Sequence, residues 1–210
     1  MKQRQLAMLL SRLPIVEDPI LSLEQYPTEG DLASSWIYKI YERGDIVDRT
    51  ISDLGSGNGI LGFACALMGA KSVKMIDVDD ASLDLISSNK ELLRNELETI
   101  GYPSIDILNH KINSILPKEL EANTIIMNPP WGRQTKGADR PFLDAAFNSN
   151  ADVIHLMHSS KAKHPIAMAK EKGWMVEHIL DAEFRIRAAF KHHKSPIQTS
   201  KTSCWRFSKH

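Results

Sequence analysis

Asp53-Leu54-Gly55-Ser56-Gly57-Asn58-Gly59 is the stretch on which the fold of this 210-residue chain turns. It grows out of a strand-like run, Thr50-Ile51-Ser52-Asp53-Leu54, and opens an apolar helix-like run over residues 59–68 that Gly69 closes. Three alternate glycines let the backbone bend tightly and approach a ligand with no Cβ in the way. The helix start behind them offers unpaired N–H groups to anionic or polar ligand atoms. Outward from this turn, strand and helix patterns alternate. Residues 72–77 read as a second strand, 81–97 as a helix and 105–107 as a short third strand. Residues 123–127 read as a fourth strand, ended by a double proline that cannot continue a ladder. A helix over 141–147, a fifth strand over 152–157 and a helix over 160–172 follow, then a terminal antiparallel pair over 174–180 and 202–207. Upstream, a short amphipathic helix over 2–13 stops at Pro14, and Leu32, Trp36, Ile37 and Ile40 mark a helix ending near Gly44. Strands alternating with helices imply right-handed crossovers and a doubly wound α/β domain. Its sheet has seven strands, mostly parallel, with helices on both faces and an antiparallel pair at the end.

Twenty-six basic and 26 acidic side chains give a formal net charge of zero, and 42% of residues are hydrophobic. That composition fits one soluble globular domain and excludes disorder and a simple polybasic nucleic-acid binder. The neutral total hides an asymmetry. Every acid falls before Phe184, whereas residues 184–210 carry Arg185, Arg187, Lys191, Lys194, Lys201, Arg206 and Lys209. His192 and His193 extend this block, which we expect to meet a polyanion. Two cysteines, Cys65 and Cys204, cannot build a disulfide framework or a cysteine zinc site, and the histidines show no metal-ligand spacing, so no metal is expected. The longest apolar or glycine run, residues 60–70, is far short of the roughly 20 residues that span a bilayer. With no signal-peptide pattern either, we expect an intracellular, cytoplasmic protein.

The glycine turn leaves its ligand open. Gly57, Gly59 and Gly62 also satisfy the dinucleotide-binding pattern, with Asp77 and Asp79 about twenty residues on. A carboxylate at Asp77, where the second strand ends, can accept from two vicinal ribose hydroxyls, which both NAD and S-adenosylmethionine carry. Asp79 and Asp80 suit a helix cap better.

Asn128-Pro129-Pro130-Trp131, after the fourth strand, bears on the chemistry. Two consecutive prolines withhold two N–H donors and leave carbonyl oxygens free. The Asn128 side-chain carbonyl and the Pro129 backbone carbonyl can together accept both hydrogens of a planar amino group while Trp131 stacks on its ring. A dehydrogenase has no use for this arrangement.

The glycine turn, Asp77 and the Asn-Pro-Pro-aromatic tetrad resemble the class I S-adenosylmethionine-dependent amino methyltransferases. More closely, the chain resembles the methyltransferase-like protein five family, and it does so essentially end to end. The resemblance is carried by Leu23-Glu24-Gln25-Tyr26-Pro27-Thr28, the Asp-Leu-Gly turn, Ile76-Asp77-Val78-Asp79 and Ile126-Met127-Asn128-Pro129-Pro130-Trp131-Gly132. Lys136-Gly137-Ala138-Asp139, Phe142-Leu143, Phe190-Lys191-His192-His193-Lys194 and Arg206-Phe207 continue it. It implies a Rossmann-like class I methyltransferase fold, S-adenosyl-L-methionine as cofactor, and methylation of an adenine N6 amine in small-subunit ribosomal RNA. One domain would hold a helical extension and cofactor-closing segment (1–44), a Rossmann-like core (45–183) and a basic C-terminal segment (184–210).

Residue by residue, the resemblance assigns catalysis to Asn128, Pro129, Pro130 and Trp131, a position where the family commonly has Phe. The Gln-Tyr-Pro-Thr segment closes over the cofactor in that family, which assigns Gln25 and Thr28 to it. Asp53, Gly55, Gly57, Asn58 and Ile60 match the turn, and Asp77 the ribose acid. Asn113, followed by Ser114, stands where the family has an acid on the cofactor adenine. Ser56 and Asn58 replace frequent cysteines of animal relatives. On the RNA side stand Tyr26, Arg133, Lys136, Lys191, His193 and Lys194, with Arg140 nearby. The resemblance also implies a small zinc-binding activator protein that adds a strand to a sheet edge, for which residues 72–76 and 105–108 are the apolar candidate. Alternatives at this point are an amino methyltransferase of protein glutamine or guanine, an NAD-dependent oxidoreductase, and a non-catalytic RNA-binding scaffold.

Overall fold

Strand β1 (Thr50–Leu54) pairs in parallel with β2 (Ser72–Asp77) on one side and β4 (Thr124–Met127) on the other. This is a computed structural model, and it describes residues 1–17, 19–186 and 198–209. With β3 (Ser104–Asn109), β5 (Val153–Ser159), β6 (Met175–Ile186) and β7 (Gln198–Ser208) the sheet runs β3-β2-β1-β4-β5-β7-β6. The chain moves outward from β1 to β3, then returns to β4 on the other side. The carboxyl ends of β1 and β4 therefore flank the switch in strand order, where open α/β sheets bind ligands.

Successive strand residues point to opposite faces, so Ile126 joins one apolar cluster while Ile125 and Met127 join another. The first cluster packs α1 (Gln3–Leu10), α2 (Gly30–Glu42), α3 (Ile60–Leu67), α4 (Asp80–Leu92) and α5 (Arg94–Thr99). The second packs α6 (Arg140–Asn148) and α7 (His164–Glu171). This is the expected seven-stranded, doubly wound architecture, with β5–β7 and β7–β6 antiparallel.

Four local expectations change. The helix expected over 81–97 breaks at Leu93, which is buried with Leu97 whereas Leu92 is exposed, so α5 starts afresh at Arg94. The helix expected from residue 160 starts at His164, where Pro165 fits a first turn that needs no N–H donor. Strands β3, β6 and β7 outrun their apolar patterns because ladder pairing continues through exposed positions such as Glu183 and Lys201. A boundary at residue 183 thus falls inside β6. The apolar edge is also narrower than expected: residues 72–76 are paired on both sides, and β3 alone forms that edge.

The basic C-terminal block is not one surface. The Arg206 guanidinium donates to Asp45 at 2.7 and 3.2 Å, and His155 Nε2 meets the same carboxylate at 2.9 Å. Burial opposes ionisation of Asp45, but these two partners outweigh it and hold its pKa down at about 2. Lys209 donates to the Ser149 carbonyl and lies over the Trp174 ring. Both basic side chains are engaged at the far end of β7 from the switch point. Lys191, His193 and Lys194 lie outside the described residues.

Candidate active site

The turn after β1 takes left-handed backbone at Gly55, Gly57 and Gly59, with φ of 72°, 55° and 79°. Residues with a Cβ reach that region only at a cost, so the glycine spacing is a backbone requirement. Asp77 braces the turn. Its Oδ2 accepts from the Gly57 amide at 2.8 Å, and its Oδ1 from Val78 and Asp79 at 2.8 and 3.1 Å. Burial nonetheless raises its pKa, with these amides opposing. Asp53 sits behind the turn. Its Oδ2 accepts from the Gly62 amide at 2.9 Å, its Oδ1 is buried with no partner among the described residues, and burial pushes its pKa up to about 7. A Cβ at Gly62 would come within 2.7 Å of Met75, so the close helix–sheet approach needs glycine there.

A cavity of about 490 Å³ opens at the carboxyl ends of β1, β2 and β4, a size typical of small-molecule sites. Of the expected cofactor residues, Gly55, Gly57, Asn58, Ile60 and Asp77 line it from the sheet side, and Gln25 and Thr28 from above. Asp53 does not reach it. Asn113 and Ser114 are exposed on the loop after β3, with the Ser114 carbonyl accepting from Asn148, and His110, Lys111 and Ile112 line the wall instead. The cavity is mostly apolar, with a carboxylate and turn amides at one end. It suits a nucleoside carrying vicinal hydroxyls.

The strap over the cavity is tied at both ends. Gln25 donates to Asp79 at 2.9 Å and Ser82 at 3.3 Å, and its carbonyl accepts from the Ile20 amide at 2.7 Å. Partial burial of Asp79 works against its charge, and the Gln25 and Ser82 hydrogen bonds overcome it, so its pKa is lowered. Asp79 also caps α4, as its sequence position suggests. At the other end Thr28 accepts from the Asn128 amide at 3.1 Å. Just before Gln25, Glu24, only 6% exposed, accepts from the backbone amides of Trp131 and Gln134, each at 2.7 Å.

Asn128 lies where the large cavity meets a small hollow of about 10 Å³ lined by Glu24, Tyr26, Pro129, Trp131 and Phe184. Its carbonyl accepts from the Trp131 indole N–H at 3.1 Å, which leaves one lone pair for a further donor. Pro130 faces the large cavity. The Trp131 ring stacks on His158 at 5.9 Å between centroids and meets Phe184 at 5.1 Å, tilted by 50°. His158 and His164 both bond the Asp139 carboxylate. Burial opposes the charge of Asp139, but the two imidazoles prevail and lower its pKa. These three side chains bring their polar atoms within 4.8 Å of one another, with both imidazoles on Asp139 Oδ2 and the His158 Nδ1 buried with no partner among the described residues. Tyr26 accepts from Gln134 at 3.4 Å, Arg133 and Lys136 are exposed in the loop that follows, and Arg140 pairs with Asp144. Sequence reasoning missed Glu24, Phe184 and His158 as parts of this site. Only Glu24 gave a signal, an acid set beside the Gln-Tyr-Pro-Thr run.

A mostly parallel sheet with a glycine turn, a strand-end acid and an Asn-Pro-Pro-aromatic corner at its switch point defines a class I methyltransferase. Residues 29–154 match the methyltransferase small domain family. The chain is 31% identical to the uncharacterized protein MJ0284 of Methanocaldococcus jannaschii, covering 93% of this chain and 89% of that protein. It is 30% identical to the rRNA N(6)-adenosine-methyltransferase METTL5 of Danio rerio, covering 92% of each. The crystal structure of Pyrococcus horikoshii PH1948 superposes with a TM-score of 0.82 at 31% identity, over 99% of this chain and 98% of that one. The chain belongs to the methyltransferase-like protein five family, which removes the oxidoreductase reading of the glycine pattern. Among the described residues no helix is long and apolar enough to cross a membrane.

Proposed function

We propose that this protein transfers the methyl group of S-adenosyl-L-methionine to the N6 amine of an adenosine in ribosomal RNA, in the cytoplasm and on small-subunit RNA. The observation that carries this reading is the position of Asn128, shared by the large cavity and the aromatic hollow. The relatives of Danio rerio, Drosophila melanogaster and Caenorhabditis elegans that match over most of the chain are named rRNA N(6)-adenosine-methyltransferases.

Bound in the large cavity, S-adenosyl-L-methionine supplies an electrophilic methyl group on a sulfonium. The adenine amine is a poor nucleophile because its lone pair is conjugated into the ring. Asn128 Oδ1 and the Pro129 carbonyl accept its two hydrogens and point that lone pair toward the cavity. They also stabilise the positive charge that develops on nitrogen. Thr28 and the Trp131 indole hold the Asn128 amide in this orientation, one at each end. Nitrogen gains the methyl as the carbon–sulfur bond breaks, and the extra proton then leaves to solvent. Such a base must be unpaired or turned out of its stack. At about 10 Å³ the hollow is too small for it, so Tyr26, Trp131 and Phe184 must part to admit it. The exposed Arg133 and Lys136 suit the flanking phosphates, and Lys191, His193 and Lys194 remain assigned to RNA by the resemblance alone. A zinc-binding activator protein would pair at β3, one of the two edge strands.

The deciding experiment supplies tritiated cofactor to purified ribosomal RNA and to protein fractions, then maps the modified nucleoside. N6-methyladenosine in RNA is expected; label only in protein, or on guanine, sinks this reading.

A further inference from the structure

We propose that Glu24 is a positioning residue that transmits occupancy of the cofactor cavity to the loop holding the acceptor base, an inference that rests on the function proposed above. Glu24 borders both the large cavity and the hollow. Each of its carboxylate oxygens takes one backbone amide, Oε2 that of Trp131 and Oε1 that of Gln134, across 107 and 110 residues of chain. Both bonds are short, and among the described residues no other side chain of the strap bonds to those amides.

The backbone at Glu24 is left-handed, with φ 51° and ψ 43°. A glutamate takes that conformation only where its surroundings hold it. They do so from before and after: its own amide donates to the Leu21 carbonyl at 3.0 Å, and beyond it Gln25 fixes the strap to the start of α4 through Asp79 and Ser82 while Thr28 fixes it to Asn128. A ligand in the large cavity packs against the inner face of this strap, so it favours the arrangement in which Glu24 reaches the acceptor loop. Binding energy then shifts the loop toward its ordered state. By reciprocity, a base held by that loop tightens cofactor binding by the same factor.

The test is amide hydrogen exchange on the full chain, with and without S-adenosyl-L-homocysteine, which fills the cavity but carries no transferable methyl. In the native protein the Trp131 and Gln134 amides should slow together on adding it, by about tenfold or more. Glu24→Gln places an NH₂ against a backbone N–H and keeps one acceptor of two. That variant should lose the response at one amide or both, with a fall in kcat for RNA methylation exceeding the change in cofactor KM. Glu24→Asp keeps both oxygens and tolerates left-handed backbone, so it should regain part of the response. The proposal is overturned if both amides of the native protein ignore S-adenosyl-L-homocysteine, or if Glu24→Gln responds like the native chain. The native measurement decides even if the variant does not fold. Protection that rises while no label reaches RNA would keep Glu24 in this role and remove the RNA reading. RNA methylation with indifferent amides would do the reverse.

Discussion

The side-chain amide of Asn128 donates to the hydroxyl of Thr28 at 3.1 Å, joining the strap over the cavity to the corner after β4 across 100 residues of chain. In the function proposed above, this bond orients the amide whose carbonyl faces the reacting nitrogen. Asn128→Ala should lower kcat by roughly 10²- to 10³-fold, the usual loss on removing a group that stabilises developing charge. Calorimetry should still find S-adenosyl-L-methionine bound. Thr28→Val, which keeps the shape and deletes the acceptor, should cost kcat only about fivefold, the worth of one neutral hydrogen bond of about 1 kcal/mol.

Trp131 gives Asn128 its second constraint through the indole N–H. Trp131→Phe retains a ring against His158 and Phe184 but frees that lone pair. We expect a fall in kcat of roughly three- to tenfold with little change in RNA KM. Trp131→Ala should raise RNA KM as well, because stacking is lost. Equal kinetics for the two variants would show that the ring contributes nothing.

Asp53 should leave a mark on the pH dependence of stability. Its folded pKa is raised by burial to about 7 from an ordinary 3.8. Between those values the folded chain holds a proton that the unfolded chain has released. Stability from this group therefore falls as pH rises from about 4 to about 7, then levels off. Asp53→Asn cannot titrate and should flatten that slope. Thermal melts of both proteins from pH 4 to 8 check it: the difference in Tm should move steadily in favour of the variant across the window.

Arg206 and Lys136 are both basic and should behave in opposite ways. Arg206→Ala strands the Asp45 carboxylate, 3% exposed, beside His155. A cost of about 3 kcal/mol in stability is expected, with RNA affinity unchanged in whatever fraction remains folded. Lys136→Ala, on an exposed loop, should leave Tm alone. It should weaken RNA binding and flatten its salt dependence by about 0.7 to 0.9 in log–log slope. Denaturant melts and filter binding at several salt concentrations separate the two.

Much of this molecule is legible in one dimension because its features are local. The glycine spacing needs only the backbone it permits, and the alternation of strand and helix needs only side-chain periods, so the turn, Asp77 and the tetrad fall where sequence places them. What escapes is the meeting of distant segments. Nothing near Glu24 announces amides more than 100 residues away, and nothing near Arg206 announces Asp45. A charge block looks uniform on paper, yet β7 spreads Lys201 and Arg206 along its length, with Lys209 just beyond its end. Asn113 fails to reach the cavity because the chain turns inward earlier, at His110, Lys111 and Ile112.

The place of β7 between β5 and β6 sets an order of assembly. On a growing chain β6 emerges before its one ladder partner, and until β7 arrives β5 presents a bare row of donors and acceptors to any passing strand. The two halves of the cavity can be complete by then, since β1, β2 and β4 come earlier. A polypeptide interrupted before Gln198 would thus carry a formed glycine turn on an open, adhesive sheet, and its fate is self-association rather than partial activity.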